Sequence, residues 1–196
     1  MRKNDKDFLL RHDQTVEIKA RCRDINSLRE KILSWGARRL SRESQTDTFY
    51  RVPRGRLKLR RCRSEKLLIG YLRPDTDGPK HSIVNLYRYG DADALHRVLD
   101  GCLGSRLEVR KTRERYLLGN VKFHLDSVEG LGHFIEIEVL GRRERDGVEQ
   151  LRSTCDKYMK LCEVKPEDLI DRAYVDLLEE AGPISTGCSA EGPDCG

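Results

Sequence analysis

The sequence predicts an α+β fold: a closed eight-stranded antiparallel β-barrel with helices packed on its outside. Two observations predict it. Eight short segments alternate in residue character with period two, the signature of a strand with two different faces. In several of them one alternating set is apolar and the other is charged, as a sheet closed around a polar interior requires.

The first strand is Thr15–Cys22 (TVEIKARC), with Val16, Ile18, Ala20 and Cys22 on one face and Thr15, Glu17, Lys19 and Arg21 on the other. A helix over Asp24–Trp35 follows, with Leu28, Ile32 and Trp35 on one stripe, Asp24 or Asn26 to cap it and Gly36 to end it. Trp35 belongs in the core under this helix. Four strands are expected at Gln45–Arg51, Arg56–Cys62, Lys66–Arg73 and Ser82–Arg88, separated by turn chemistry at Pro53–Gly55 and Pro74–Asp75. A helix over Asp91–Cys102, ending near Gly104, precedes strands at Leu107–Leu118, Val121–Ser127 and Phe134–Leu140, with Gly119–Asn120 as a hairpin turn. Helices over Gly147–Cys162 and Pro166–Glu180 close the pattern. The chain divides into an extension over residues 1–13, one domain over 14–181, and a tail over 182–196 whose composition is that of a disordered segment.

Charged residues make up 36% of the chain and hydrophobic ones 37%, so much of the charge must cover the outside or line an interior. The formal net charge of +5 suits an anionic ligand. No stretch is apolar enough to span a bilayer, and the N-terminus lacks the apolar core of a signal peptide. The seven cysteines are odd in number and form no CxxC pair, which reads as reduced thiols in a cytoplasmic protein with neither a disulfide framework nor a zinc site. Cys155 and Cys162, seven apart on one helix face, read as packing residues. The stretch Arg51–Arg63 holds seven basic residues in thirteen, but on a strand these divide between two faces, and few aromatics accompany them. That argues against nucleic-acid binding.

The chemistry is expected on the charged faces. Lys58 and Arg60 oppose Leu57 and Leu59; Arg73 shares a face with Tyr71; Lys111 and Arg113 are two apart; His124 and Asp126 oppose Phe123 and Leu125; Glu136 and Glu138 oppose Ile135, Ile137 and Val139. An ordinary sheet with its charged face in water is the plain alternative. Amphipathic helices need an apolar surface to cover, however. If they cover the outside, the charges face inward, where only pairing, water or a charged ligand makes them tolerable. Glu17, Glu136, Glu138 and Asp126 are hard oxygen donors suited to Mg²⁺ or Mn²⁺. Lys19, Lys58, Arg60, Arg73, Lys111 and Arg113 suit phosphate oxygens. Together they point to phosphoryl or nucleotidyl transfer.

The sequence also resembles the CYTH superfamily, the triphosphate tunnel metalloenzymes, and most of all its class IV adenylyl cyclase and thiamine triphosphatase branch. The family's ExExK hallmark is matched by Thr15-Val16-Glu17-Ile18-Lys19. Similarity continues in order through QTDTFY (45–50), LKLR (57–60), YLRPD (71–75), GPKHS (78–82), VRKTRERY (109–116), HLDSVEGLG (124–132), FIEIE (134–138) and AYVDLL (173–178). The resemblance implies an eight-stranded tunnel for a triphosphate-bearing substrate: a nucleotide, thiamine triphosphate or inorganic triphosphate. It implies metal at Glu17, Glu136 and Glu138, with Asp126 a weaker match. It implies phosphate at Lys19, Lys58, Arg60, Arg73 and Arg113, with Lys111 a weaker match, and catalytic roles for Glu17 and Lys19. His81 lies in a matching loop, and a homodimer is compatible with the family.

Two residues depart from the pattern. Thr15 replaces the first Glu of the hallmark, which weakens one metal site unless Asp13 compensates. Phe49 stands where the triphosphatases carry a Tyr that pairs with the hallmark lysine to activate water; the adjacent Tyr50 is expected on the opposite face. A triphosphatase or cyclase is therefore one expectation, and a catalytically weakened polyphosphate- or nucleotide-binding module the other.

Overall fold

The computed structural model describes residues 14–72, 83–142 and 144–182. Asp13, Arg73, His81, Cys188 and Cys195, with the expected extension and most of the tail, lie outside them. The described chain is α+β. Its strands are β1 (Gln14–Arg21), β2 (Arg38–Tyr50), β3 (Arg56–Cys62), β4 (Lys66–Leu72), β5 (Ile83–Arg88), β6 (Ser105–Leu118), β7 (Val121–Val128) and β8 (Gly132–Gly141). Its helices are α1 (Ile25–Ser34), α2 (Ala92–Leu103), α3 (Val148–Leu161) and α4 (Tyr174–Ala181). None of these helices is long and apolar enough to cross a membrane.

The strands form one antiparallel sheet in the order β1-β8-β7-β6-β2-β3-β4-β5. The closed barrel expected from the sequence is corrected here: among the described residues no ladder joins β5 to β1. Part of the reason lies in the free edge of β1. Ala20 bridges Leu169, and the Ile170 N–H donates to the Lys19 carbonyl at 2.8 Å, so part of that edge is already satisfied. The same contact breaks the helix expected over Pro166–Glu180. A 3₁₀ turn at Pro166–Asp168 is followed by an extended stretch along β1, and α4 starts only at Tyr174.

α1 and α3 cover the outward apolar face as the alternation predicts, whereas α4, expected outside with the others, packs on the charged face because Phe49, Val109, Val128 and Phe134 give that face an apolar patch at one end. Ile25, Leu28 and Ile32 of α1 and Leu151 and Cys155 of α3 pack on Val16, Ala20, Phe123, Leu125, Ile135, Ile137 and Val139. Each large side chain so buried is worth about 1.5–3 kcal/mol. Trp35 closes α1 against this cluster, 6.1 Å from Phe123 and 5.9 Å from Tyr158 between ring centres. Asp24 caps α1, its Oδ1 accepting from the N–H groups of Asn26 and Ser27. Gly119 takes the positive φ of 57° that the β6–β7 hairpin needs. β2 begins seven residues before the expected Gln45. Its first half, RRLSRES, has little apolar alternation and is held by its ladder to β6, which runs through two register shifts.

Candidate active site

Pairing register assembles the charged face. Period two sends Lys58 and Arg60 of β3 to the same side, and directly across the ladder from Arg60 stands Asp47 of β2. Asp47 accepts from Lys58 Nζ at 2.8 Å and from Arg60 through both Nε and Nη2, each at 2.8 Å. The arrangement recurs one pair of strands away. Asp126 of β7 stands opposite Arg113 of β6 and accepts from its Nε at 2.6 Å and its Nη2 at 2.5 Å, with Lys111 Nζ at 3.2 Å. Burial alone would raise both aspartates, but the adjacent cations hold each carboxyl well below the usual carboxylate range. Burial pushes the two lysines down, Lys58 to about 8 and Lys111 to about 7, against the pull of their aspartates.

The third wall is β1 with β8. Lys19 stands opposite Glu136 and approaches its Oε1 at 3.3 Å, while Glu136 Oε2 accepts from Arg113 Nη2 at 2.7 Å. His124 of β7 lies in the same row, its Nδ1 3.3 Å from Glu136 Oε2 and its Nε2 3.9 Å from Glu138 Oε2. Burial and then Arg113 push this imidazole below its ordinary value. One row further, Glu17 faces Glu138 directly across the ladder, and Lys122 Nζ reaches Glu138 at 3.0 Å. α4 caps the opposite end of the face. Tyr174, Val175 and Leu177 pack on Phe49, Val109, Val128 and Phe134. Tyr174 donates its hydroxyl to Asp126 at 2.9 Å and lies under Lys19, 4.2 Å from ring centre to Nζ. Arg56 and Arg106 hold Asp176 of α4 at 2.8 and 3.0 Å.

These walls enclose a cavity of about 260 Å³. Glu17, Lys19, Lys58, Arg60, Lys111, Arg113 and Glu136 line it, with Asp47 and the rings of Phe49, Tyr71 and Tyr174. Of the residues expected from sequence, Glu138 lies beyond the lining, and Asp126 is fully buried with both oxygens taken by Arg113, Lys111 and Tyr174. Tyr50 does turn to the opposite face, where its hydroxyl meets His96 Nδ1 at 2.8 Å. Sequence reasoning missed Asp47, Lys122 and Tyr174 as site residues, and placed His124 on a charged face without giving it a role. Asp47 was readable, since it alternates with Gln45 and Phe49 on a strand. Tyr174 was not, because its place depends on where α4 docks.

The donor set bears on a divalent cation. Among the described residues no three His, Cys, Asp or Glu side chains converge into an all-protein cage. Mg²⁺ and similar ions do not need one, being held by one or two carboxylates together with phosphates and water. Glu17 and Glu138 face each other across the ladder with Lys122 on Glu138, and two hard oxygen donors so placed could share a cation with water and phosphate. The residues therefore fit an ion that binds together with a polyphosphate.

The model of the CYTH domain family matches residues 13–174. The chain belongs to the CYTH family. Several solved structures share this fold. The PH1012 protein of Pyrococcus horikoshii superposes with a TM-score of 0.75 at 22% identity, over 84% of this chain and 99% of that one. The PH1819 protein of the same organism gives 0.64 at 27% identity, over 85% and 99%. HpAC1 from Hippeastrum, named for adenylyl cyclase and found to have a dominant triphosphatase activity, gives 0.62 at 15% identity, over 88% and 98%. A search of curated proteins found no match.

Proposed function

We propose that this CYTH domain binds a triphosphate-bearing substrate with Mg²⁺ or Mn²⁺ and converts it either as a triphosphatase, by phosphoryl transfer to water with release of phosphate, or as a cyclase, by attack of the ribose 3′-hydroxyl on the α-phosphorus of the same nucleotide with loss of pyrophosphate. One observation carries the reading: five cationic side chains from β1, β3 and β6 surround a single cavity. Asp47, Asp126 and Glu136 offset part of this buried charge, and a polyanion entering among the bases would offset more of it. HpAC1, which shares the fold, has triphosphatase activity.

In this reading Lys58, Arg60, Lys111 and Arg113 hold the phosphate chain, and Arg73, outside the described residues, would add to them. Lys19 neutralises charge developing at the reacting phosphate. Glu17, Glu136 and Glu138 would hold the divalent ion, and Glu17 also orients the attacking group. A divalent ion bound there would supply Lewis-acid polarisation of the phosphoryl oxygens. Asp126, with its oxygens occupied, positions Arg113 and Lys111 instead of binding metal. Phosphate and cyclic-nucleotide release from ATP, thiamine triphosphate and inorganic triphosphate, with and without Mg²⁺ or Mn²⁺, tests this. Metal-dependent release from at least one of them is expected, with Lys19→Gln lowering kcat by about a hundredfold. If no substrate turns over and calorimetry detects no binding of tripolyphosphate, the reading is wrong.

A second reading, a receptor with weak turnover, is favoured by Phe49. Its ring is packed among Val109, Phe134 and Tyr174 and offers no hydroxyl for activating water.

A further inference from the structure

We propose that Asp47 is a positioning residue of this site, setting the orientation and spacing of Lys58 and Arg60 as a phosphate clamp. The inference rests on the polyphosphate reading above and adds to it a residue that acts through the two bases it holds. Asp47 borders the cavity but is only 2% exposed, and both of its carboxylate oxygens are taken by the two bases. It takes the Nε–Nη2 edge of Arg60, and a guanidinium gripped along one edge presents its other edge to a second anion. Its Oδ2 also takes Lys58, so one carboxylate fixes the distance between two donors of different geometry.

A structural salt bridge alone is a poor account of this cluster. Three buried charges on one wall stabilise a fold less than apolar side chains of similar volume would. The neighbouring wall has the same construction, with Asp126 holding Lys111 and Arg113 by the same Lys-x-Arg spacing and the same guanidinium edge. Two clamps of one design, facing one cavity, match a ligand with repeated phosphate groups. Asp47 also keeps Lys58 charged. The groups acting on this ammonium are Asp47 from β2, Arg60 from β3 and Arg113 from β6, with the rings of Phe49 and Tyr71 beside it. Asp47 is the anion that opposes burial and the two guanidinium groups.

The test is calorimetric binding of tripolyphosphate to the full chain between pH 6 and pH 9, for wild type, Asp47→Asn, Arg60→Lys and the double variant. Asp47→Asn is expected to weaken binding by about ten- to a hundredfold, the range of a charge-assisted hydrogen-bond pair. It should also move the alkaline loss of affinity to lower pH, because Lys58 loses the partner that holds its proton. A residue that merely supports the fold would not shift that pH profile. Arg60→Lys keeps the charge but loses the two-point grip, so it should weaken binding too. The double variant should lose no more than Asp47→Asn alone. Asp47→Asn binding like wild type with an unchanged pH profile, or losses that add in the double variant, would overturn the assignment. If Asp47→Asn does not fold, Arg60→Lys decides: wild-type affinity there overturns it. Failure of the wild type itself to bind would instead sink the polyphosphate reading, and is seen before any variant is compared.

Discussion

Thr15 is the side chain at which this site departs from the family's hallmark. It lies on the same strand face as Glu17 and Lys19, opposite Leu140 in the ladder, where the CYTH hallmark has a carboxylate. A hydroxyl is a neutral, weaker ligand for a hard cation than a carboxylate. Thr15→Glu should therefore raise Mg²⁺-dependent phosphate release by about tenfold, equivalent to about 1.4 kcal/mol in the barrier. An unchanged rate would mean that Thr15 is compatible with full function and that the site does not lack this ligand. Phe49 is different. Buried against α4, it serves the cap of the site and has no chemistry to recover by itself.

At the scale of elements, the site depends on two helices that seat its sheet from opposite sides, α3 without touching the cavity and α4 lining it. α3 lies on the outer side of β8 and β1, and the fit is close where Leu151 meets Gly141. A Cβ at Gly141 would come within 2.6 Å of Leu151 Cδ1 and 3.3 Å of Asp146 Cβ. Leu151 is itself buried and has little room to retreat. Gly141→Ala should therefore destabilise the fold by about 1–3 kcal/mol, read as a lower urea midpoint with little change in slope. An unchanged midpoint would show that α3 is seated loosely enough to move aside. α4 works from the other side. Its Tyr174 touches Asp126 and lies beneath Lys19, so the element that caps the cavity also contacts two of the walls.

The whole molecule carries buried bases at a cost that depends on pH. Burial lowers Lys111 to about 7, below its unfolded value of about 10.4. Between these values the unfolded chain binds more protons than the native one, so the stability of the free protein rises with pH. Four buried or half-buried thiols, Cys22, Cys62, Cys155 and Cys162, are pushed up by burial and work the opposite way above about pH 8.5. The clean window is thus about pH 7 to 8.5. Across it the free protein's melting temperature should rise, while the additional stabilisation by tripolyphosphate shrinks as the lysines lose charge. Thermal melts with and without the anion check both signs. Parallel changes in the two would show that the lysines do not titrate in that window.

The alternation of Lys58 with Leu59, or of Glu136 with Ile137, was enough to read eight strands, the face that bears the chemistry and the apolar face that the helices cover. Side-chain direction on a strand is a local property with a period of two, and so it is written in the sequence itself. The partners of those charges were not. That Asp47 faces Arg60, that Asp126 is consumed by Arg113, Lys111 and Tyr174, and that the edge of β1 pairs with Leu169–Ile170 while no ladder joins it to β5 among the described residues all depend on register and docking between distant segments. Those are settled by competition for backbone hydrogen bonds and buried area across the whole fold, which no local pattern records.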